Sequence, residues 1–421
     1  MGPYTSGHEC PRLGIAELRS WRGAGGACSG FGQGTACAGG NKGHDMTSRE
    51  RLQCVLQGRI PDCVPVCPDI SNMVPARLTG RPFWDIYLYN NPHLMDAYVD
   101  AAHHFGFDSV MDLFPLTFPE GTAGALPWQR FIVKRTPSAI ITQSSYVDGG
   151  RRVWSPNVDV YPVADPPTYG VPCAKVELPT EPTWFEPVEG VRPFDAGPTG
   201  FARIKERMGD RGVVGVYVTS SSALGSPDAI YHYMDNPDQH AQWAADRVRR
   251  AEERFARVQT MAAKPDFIAV GGSGTLVFQT VEIFRQLALP GVKRAIELAT
   301  AAGLPTHIHS CGPERELVKV MAEETSLSVI DPLEIPPMGD CNLAELKRLW
   351  GDRITLKGNL HTTAVMLRGT VDDVVRAAKQ AIDDAAAGGR FILSTGDQCG
   401  RDTPDANIRA MIETARTYGR Y

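Results

Sequence analysis

Short apolar runs alternate with amphipathic stretches from Met46 onward, and this alternation is the feature that most constrains the fold. The runs are apolar on both faces, as buried parallel strands are. There are eight of them: Val64–Pro68, Phe107–Phe114, Val213–Ser221, Phe267–Gly271, Pro305–Cys311, Ser326–Asp331, Ile354–Gly358 and Phe391–Thr395. The stretches between them follow the 3.6-residue period of helices, most clearly in Val292–Ala302, Glu314–Glu324, Leu343–Trp350, Val371–Ala387 and Ala406–Tyr418. Eight repeated strand–helix units favour parallel strands that close on themselves, so the sequence predicts an α/β fold, a (β/α)8 TIM barrel.

Two regions depart from this alternation. Residues 128–190 contain the β-forming runs Phe131-Ile-Val and Ala139-Ile-Ile-Thr and the dipeptide Asp148-Gly149, which is typical of a hairpin turn. We predict a β-rich insertion here, between the second and third strands and near the barrel mouth. Residues 1–45 include a glycine-rich tract that cannot bury enough apolar surface to fold. We predict that they are a disordered extension or a mis-start, and that the barrel domain spans 46–421.

The charge and cysteine content exclude several classes of protein. The formal net charge of -5 gives no basic field, which argues against nucleic acid as a partner. No apolar run approaches the roughly 18 residues of a membrane span. The 10 cysteines lack the dense spacing of a secreted disulfide scaffold. We therefore expect a cytoplasmic protein with free thiols, some of them available to a metal.

A histidine and two cysteines lie where barrel strands end. His309 and Cys311 close the fifth predicted strand and share one face, because side chains alternate along a strand, and His307 lies one layer deeper. Cys399 follows the eighth strand. Carboxyl ends of barrel strands meet at one mouth, and zinc prefers imidazole and thiolate ligands. We predict a metal site of these three residues because they converge on one mouth, although each one alone would fit better as a packed core residue.

Several motifs resemble the uroporphyrinogen decarboxylase superfamily. They are the opening Thr47-x-Arg49-Glu50-Arg51, His309-x-Cys311-Gly312, Gly358-Asn359 and Thr403-Pro404-x-x-Asn407-Ile408. Decarboxylases of this superfamily carry an arginine-rich segment after the first strand. This chain has no arginine there until Arg77. It is similar instead to the zinc-dependent methyltransferases of the superfamily, which carry His-x-Cys and a later Cys as zinc ligands.

This resemblance implies an activity and a set of partners. We expect a methyltransferase that uses Zn²⁺ and moves a methyl group between a corrinoid (cobalamin), supplied by a partner protein, and a small thiol or a methylated (O-methyl or N-methyl) substrate. The resemblance also suggests a homodimer. Two alternatives stay open at this point. One is a metal-free decarboxylase of porphyrin metabolism, and the other is a non-catalytic protein that binds a tetrapyrrole or corrinoid.

Two more polar residues are candidates for catalytic roles. Asp331 ends the sixth strand, and Glu334 follows it in the next loop. Either carboxylate could be a fourth zinc ligand, and Asp331 is preferred because strand ends are held more precisely than loops. Asp331 could instead orient His309 from behind. Asn359, beside Gly358 on the seventh strand, is expected to bind substrate.

Overall fold

A computed structural model describes residues 45–118, 127–178 and 185–421, so the prediction for the glycine-rich N-terminal extension lies outside the described residues except at Asp45. The chain forms helices α1 (Ser48–Leu56), α2 (Met73–Leu78), α3 (Phe83–Tyr87), α4 (Leu94–Phe105), α5 (Pro198–Met208), α6 (Pro227–Asp235), α7 (His240–Thr260), α8 (Val281–Ile283), α9 (Leu289–Ala301), α10 (Arg315–Glu324), α11 (Leu343–Trp350), α12 (Val371–Ala385) and α13 (Asp405–Thr417). It also forms strands β1 (Gln129–Arg135), β2 (Ala139–Asp148), β3 (Arg151–Pro162), β4 (Thr168–Pro172), β5 (Glu186–Pro187), β6 (Gly215–Tyr217), β7 (Phe267–Ala269), β8 (Thr306–His309), β9 (Val329–Asp331), β10 (Thr355–His361) and β11 (Phe391–Gly396). The five helices predicted from the 3.6-residue period are confirmed as α9 to α13.

Strands β6 to β11 form one parallel sheet in sequence order. Each joins the next through a helix, as right-handed crossovers of an α/β fold require. The pairing register places His309 beside Asp331 on β8 and β9, and it pairs Leu356 of β10 with Ile330 of β9. Lys357, the next residue of β10, therefore lies at the same level as His309 and Asp331. Six of the eight predicted strands are confirmed.

The first two predicted strands do not form regular strands. Val66 makes a single parallel bridge with Leu393 of β11, and its carbonyl accepts a hydrogen bond from the backbone N–H of Asp108. Prolines at 65 and 68 remove two backbone donors from this segment. Side chains replace the missing ladder: the Val66 N–H donates to the Asp108 carboxylate at 2.8 Å, and Ser109 Oγ donates to the Val213 carbonyl at 2.8 Å.

The region between α4 and α5 forms a separate antiparallel sheet. Its order is β4-β3-β2-β1-β5, and β2 and β3 meet at a tight turn through Gly149 and Gly150, both with positive φ. Positive φ is a conformation that favours glycine, and the predicted Asp-Gly hairpin is confirmed. Ile132, Ile140 and Tyr161 of this sheet pack with Leu88, which follows α3.

Helix α1 covers the amino-terminal end of the parallel sheet. It begins with a capping box, since the Thr47 side chain accepts from the Glu50 N–H and the Glu50 side chain accepts from the Thr47 N–H. Leu52 and Val55 then pack into a cluster with residues near the amino ends of the strands, including Phe267 and Val329. The polar side chains described below lie at the opposite, carboxyl ends. In the ranges that the structure describes, no helix combines the length and apolar character needed to cross a bilayer.

Candidate active site at the carboxyl ends of the parallel strands

Strand β8 places two histidines on one side of the sheet. Nε2 of His307 lies 2.6 Å from Oδ1 of Asp331, and Nδ1 of His309 lies 3.5 Å from Oδ2 of the same carboxylate. Contact with one carboxylate shows that the two rings share a face, as the two-residue period predicts. His307 is buried, whereas the His309 side chain is 18% exposed. The histidine nearer the strand end is thus the one that reaches the mouth.

Gly271, which follows β7, allows the strand ends to approach closely. A Cβ atom added there would lie 2.4 Å from the backbone nitrogen of His309 and 2.7 Å from its carbonyl oxygen. Both distances are well below van der Waals contact. The absence of a side chain at this position therefore sets the separation between the end of β7 and the end of β8.

Asp331 is the centre of a buried group of charges. Its carboxylate is fully buried and forms an ion pair with the Lys357 ammonium, which comes from β10 on the other side. Burial alone would raise the pKa of Asp331, but the Lys357 ammonium and the two histidines outweigh burial and hold that pKa well below its usual range. Conversely, burial would lower the pKa of His309, and the Asp331 carboxylate raises it well above its usual range.

Three more carboxylates surround His309 and Lys357. Asp112 lies 3.8 Å from Nδ1 of His309 and 3.6 Å from the Lys357 ammonium, and Asp397 lies 3.7 Å from Nε2 of His309. Burial and the neighbouring Asp112 raise the pKa of Asp69 to about 7, with His309 and Lys357 acting in the opposite direction. The mouth therefore carries more carboxylates than cations at the level of His309.

Cys311 lies beside both a hydroxyl group and His309. Its Sγ lies 2.9 Å from Oγ of Ser273, in the loop after β7, and a side-chain hydrogen bond with Cys311 contributes to the raised pKa of His309. The Cys311 side chain is partly exposed. Imidazole and thiol from one strand end thus lie together at the mouth, as predicted.

Cys399 lies deeper than its position in the sequence suggests. It is fully buried, and its N–H donates to the Asp69 carbonyl at 2.8 Å. Burial, with a contribution from Asp69, raises its pKa to about 12. Cys399 therefore reaches the same end of the sheet, held against the segment that carries Asp69 and Ser71.

The described residues contain two groups whose potential ligand atoms all lie within 4.8 Å of one another. One group is Asp69, Asp112 and His309. The other is Asp112, His307 and Asp331. The trio of His309, Cys311 and Cys399 is not one of these groups, so the zinc site built on it stays a prediction.

The side chains of Asn359 and Glu334 form hydrogen bonds with backbone groups and do not point freely into the mouth. Nδ2 of Asn359 donates to the Leu333 carbonyl at 3.0 Å, and Glu334 accepts the Gly312 N–H at 2.6 Å. Glu314 accepts the Leu333 N–H at 2.6 Å. The two glutamate bonds tie the segment after β8, which carries Cys311, to the loop after β9.

Sequence reasoning missed four residues of the site. Lys357 left a signal, since it is the single charged residue within an otherwise buried run from Ile354 to Gly358. Asp112 and Asp69 lie in or after the two runs that do not form regular strands, and Asp397 follows β11. A search for carboxylates close to every predicted strand end would have found those three.

Comparisons with known proteins agree with the resemblance seen in the motifs. The uroporphyrinogen decarboxylase (URO-D) family model matches residues 236–418, the segment that holds His309, Cys311, Asp331, Lys357 and Cys399. The methylcobamide:CoM methyltransferase MtbA of Methanosarcina mazei is 27% identical over 139 residues, which is 32% of this chain and 37% of that protein. The methylcobamide:CoM methyltransferase MtaA of Methanosarcina barkeri is 31% identical over 115 residues, 27% of this chain and 31% of that protein.

The matched region spans about a third of the length of these curated relatives. A solved structure of a methyltransferase from Methanosarcina mazei superimposes with a TM-score of 0.55 at 19% identity, covering 89% of this chain and 99% of that one. That likeness shows a shared fold. The resemblance to the uroporphyrinogen decarboxylase superfamily, and to its corrinoid methyltransferases, is confirmed.

Proposed function

We propose that this chain is a zinc-dependent methyltransferase that moves a methyl group between a corrinoid carried by a partner protein and a small thiol or methylated substrate. The observation that carries the proposal is the pair of His309 and Cys311 at the mouth, inside the segment that matches the family model. Local similarity to methylcobamide:CoM methyltransferases supports the same activity.

The residues present fit a zinc ion in their chemistry. His309 turns Nδ1 toward the buried Asp331 carboxylate, which leaves Nε2 facing the mouth near Asp397. Cys311 is partly exposed beside it, and Cys399 is the second thiol at this end of the sheet. One imidazole and two thiols are donors that zinc prefers, and three protein ligands leave a position for substrate. We assign the metal to these three residues.

Each polar side chain then has a distinct task. When bound, zinc would act as a Lewis acid, lowering the pKa of a substrate thiol or polarising the oxygen or nitrogen that carries a methyl group. Asp331 orients His309, because both of its oxygens already have partners in His307 and Lys357. Asn359 fixes the Leu333 carbonyl, and its amide oxygen is the group we assign to substrate.

The rim of the mouth suits contact with a corrinoid protein. Val277 and Phe278 in the loop after β7 and Met338 in the loop after β9 are each about half exposed, at 52%, 54% and 51%. Exposed apolar side chains grouped around a site are typical of surfaces that bind another protein. We assign this rim to the partner that supplies the corrinoid.

The carboxylates at the mouth argue against the decarboxylase alternative. A porphyrinogen carries several carboxylates, so its binding calls for cations at the mouth. Here Asp69, Asp112 and Asp397 lie around His309 and Lys357, and the Lys357 ammonium is already paired with Asp331. Like charges brought together in a cleft repel, which disfavours such a substrate.

We also propose that residues 46–421 form one closed (β/α)8 barrel with the antiparallel sheet as an insertion near its mouth. The bridge between Val66 and Leu393 and the bond from Asp108 to the Val66 carbonyl support closure on one side. The bond from Ser109 to the Val213 carbonyl supports it on the other. Arg401, which follows Cys399, pairs with Asp165 of the antiparallel region at 2.9 Å, which supports the placement of the insertion.

The function is tested by metal analysis combined with a methyl-transfer assay. The purified full chain is expected to contain zinc in a 1:1 ratio and to demethylate methylcobalamin, followed by its visible absorbance, when a panel of small thiols is supplied. A second panel of methyl ethers and methylamines, tested with reduced cobalamin, examines the reverse direction. Cys173→Ser, in the antiparallel sheet, is the matched control for loss of a thiol. Protein without zinc, or affinity for cobalamin without turnover in either panel, would count against the proposal.

A further inference from the structure

Lys357 is a charged side chain in the middle of a buried strand. Its side chain is fully buried, and the neighbouring residues of β10 are buried as well. Removing an ammonium from water is costly unless carboxylates and hydrogen bonds compensate it. Two carboxylates do so here: Asp331 pairs with it directly, and Asp112 lies 3.6 Å away.

The sheet register explains how Lys357 reaches the site. β9 lies between β8 and β10, so Asp331 receives the two histidines from one side and Lys357 from the other. Oδ1 lies close to His307, and Oδ2 pairs with Lys357 while also lying 3.5 Å from His309. With partners on both sides, the plane of the carboxylate cannot turn without breaking an ion pair or a hydrogen bond.

We infer that Lys357 is a positioning residue, which acts through Asp331 to hold the His309 ring with Nδ1 inward and Nε2 at the mouth. Partners behind a metal-binding histidine fix its orientation and tautomer, and their loss typically lowers metal affinity about 10–100-fold. The inference rests on the proposed function where it concerns zinc. The orientation of the ring itself follows from the contacts alone.

The test is Lys357→Met in the full chain, with histidine rings labelled by ¹⁵N. The chain has 10 histidines, and His309→Gln assigns the signal of interest. The wild type is expected to show a low-field ring proton for Nδ1 of His309, bonded to Asp331. In Lys357→Met that signal should be lost through exchange with solvent, and competition with a chelator should show zinc affinity lowered about 10–100-fold.

A second variant separates positioning from charge balance. Lys357→Met leaves Asp331 uncompensated and can fail to fold, so the uncharged double variant Lys357→Met with Asp331→Asn is made as well. Its thermal stability is expected to approach that of the wild type, while the His309 signal stays absent and zinc affinity stays low. Lys347→Met is the matched control, since Lys347 on α11 donates to the Gly389 carbonyl and lies outside the site.

Two results would overturn the inference. One is a single variant that keeps both the His309 signal and the zinc affinity. The other is a double variant whose zinc affinity returns to the wild-type value, which would reduce Lys357 to a counter-charge for Asp331. If the wild type binds no zinc, the proposed function fails, and the ring-proton signal in the single variant still decides the inference.

Discussion

His307 and Asp331 form a buried hydrogen bond of 2.6 Å between Nε2 and Oδ1. Because the acceptor is a carboxylate, the His307 ring donates from Nε2. Its Nδ1 is buried and has no hydrogen-bond partner among the described residues. His307 therefore anchors the carboxylate from inside, and His309, two residues further along β8, is the ring presented to the mouth.

The predicted zinc ligands can be tested one at a time. His309→Ala, Cys311→Ala and Cys399→Ala should each remove most of the bound zinc, measured by plasma mass spectrometry, while far-UV circular dichroism stays unchanged. Cys173→Ser should retain the metal. Full zinc in Cys399→Ala together with loss of zinc in Asp112→Asn would transfer the site to the group of Asp69, Asp112 and His309.

Gly271→Ala should damage the site without touching any of its side chains. The added Cβ would meet the His309 backbone at 2.4 Å, so the end of β8 must shift. Overpacking of this kind costs about 1–3 kcal/mol of folding free energy, and we expect zinc affinity to fall as well. Gly225→Ala is the matched control, since its nearest neighbour would be Ser222 Oγ at 3.8 Å. Equal melting temperatures and zinc affinities for the two variants would contradict the prediction.

Asp108→Ala should be strongly destabilising. The Asp108 carboxylate is fully buried and accepts hydrogen bonds from the guanidinium groups of Arg51 and Arg416, each at 2.7 Å. Its removal takes the carboxylate partner from the Arg416 guanidinium and leaves Arg51 with Asp62 alone, which costs about 3–5 kcal/mol in denaturant titrations. Asp402→Ala, which removes a surface partner of Arg401, should leave the unfolding midpoint unchanged. A small effect at Asp108 would mean that water replaces the carboxylate.

Protonation of His93 should make the protein less stable in acid. Burial lowers its pKa to about 4, with Asp96 acting in the opposite direction, and its ring stacks on Phe194 with a centroid separation of 3.5 Å. The unfolded chain protonates this ring near pH 6.5, so the stabilisation is complete above that pH and is lost as pH falls toward 4. Allowing for partial exposure, we expect a loss of roughly 1 kcal/mol.

His93→Asn isolates this contribution. Asparagine is a good N-cap residue, so it can replace the bond that His93 Nδ1 accepts from the Met95 N–H. The difference in unfolding free energy between wild type and variant should shrink between pH 7.5 and pH 4.5. A difference that stays constant over this range would show that the ring does not titrate as expected.

The sequence predicts the C-terminal part of the sheet well. Strands β6 to β11 are short, continuous apolar runs bounded by clear helices, and the two-residue period suffices to place His307 and His309 on one face. The first two runs failed as strands because Pro65 and Pro68 lack backbone donors and because Asp108 bonds to the Val66 backbone through its side chain.

Only part of the site could be predicted from the sequence, and the reason is different. Lys357 reaches the site because of the register of β10 against β9. The two-residue alternation of side chains along one strand does not determine how that strand pairs with its neighbour. Cys399 was placed at the rim from its position after the last strand. It is instead fully buried, and its N–H bonds to the carbonyl of Asp69, a contact between two distant segments that strand-end reasoning does not include.

The bonds that Asp108 makes also bear on how the chain is completed during synthesis. Arg51 lies on the first helix and Arg416 on the last, and both end on this one carboxylate. The chain is synthesised from its N-terminal end, and a domain generally folds as a unit. When Asp108 and Arg51 emerge, Arg416 has not yet been translated, and Leu393, which bonds to the backbone on both sides of Val66, also comes late. The contacts between the first and last helices can therefore form only after Leu393 and Arg416 have been synthesised, and until then the nascent chain keeps an unpaired edge beside Val66.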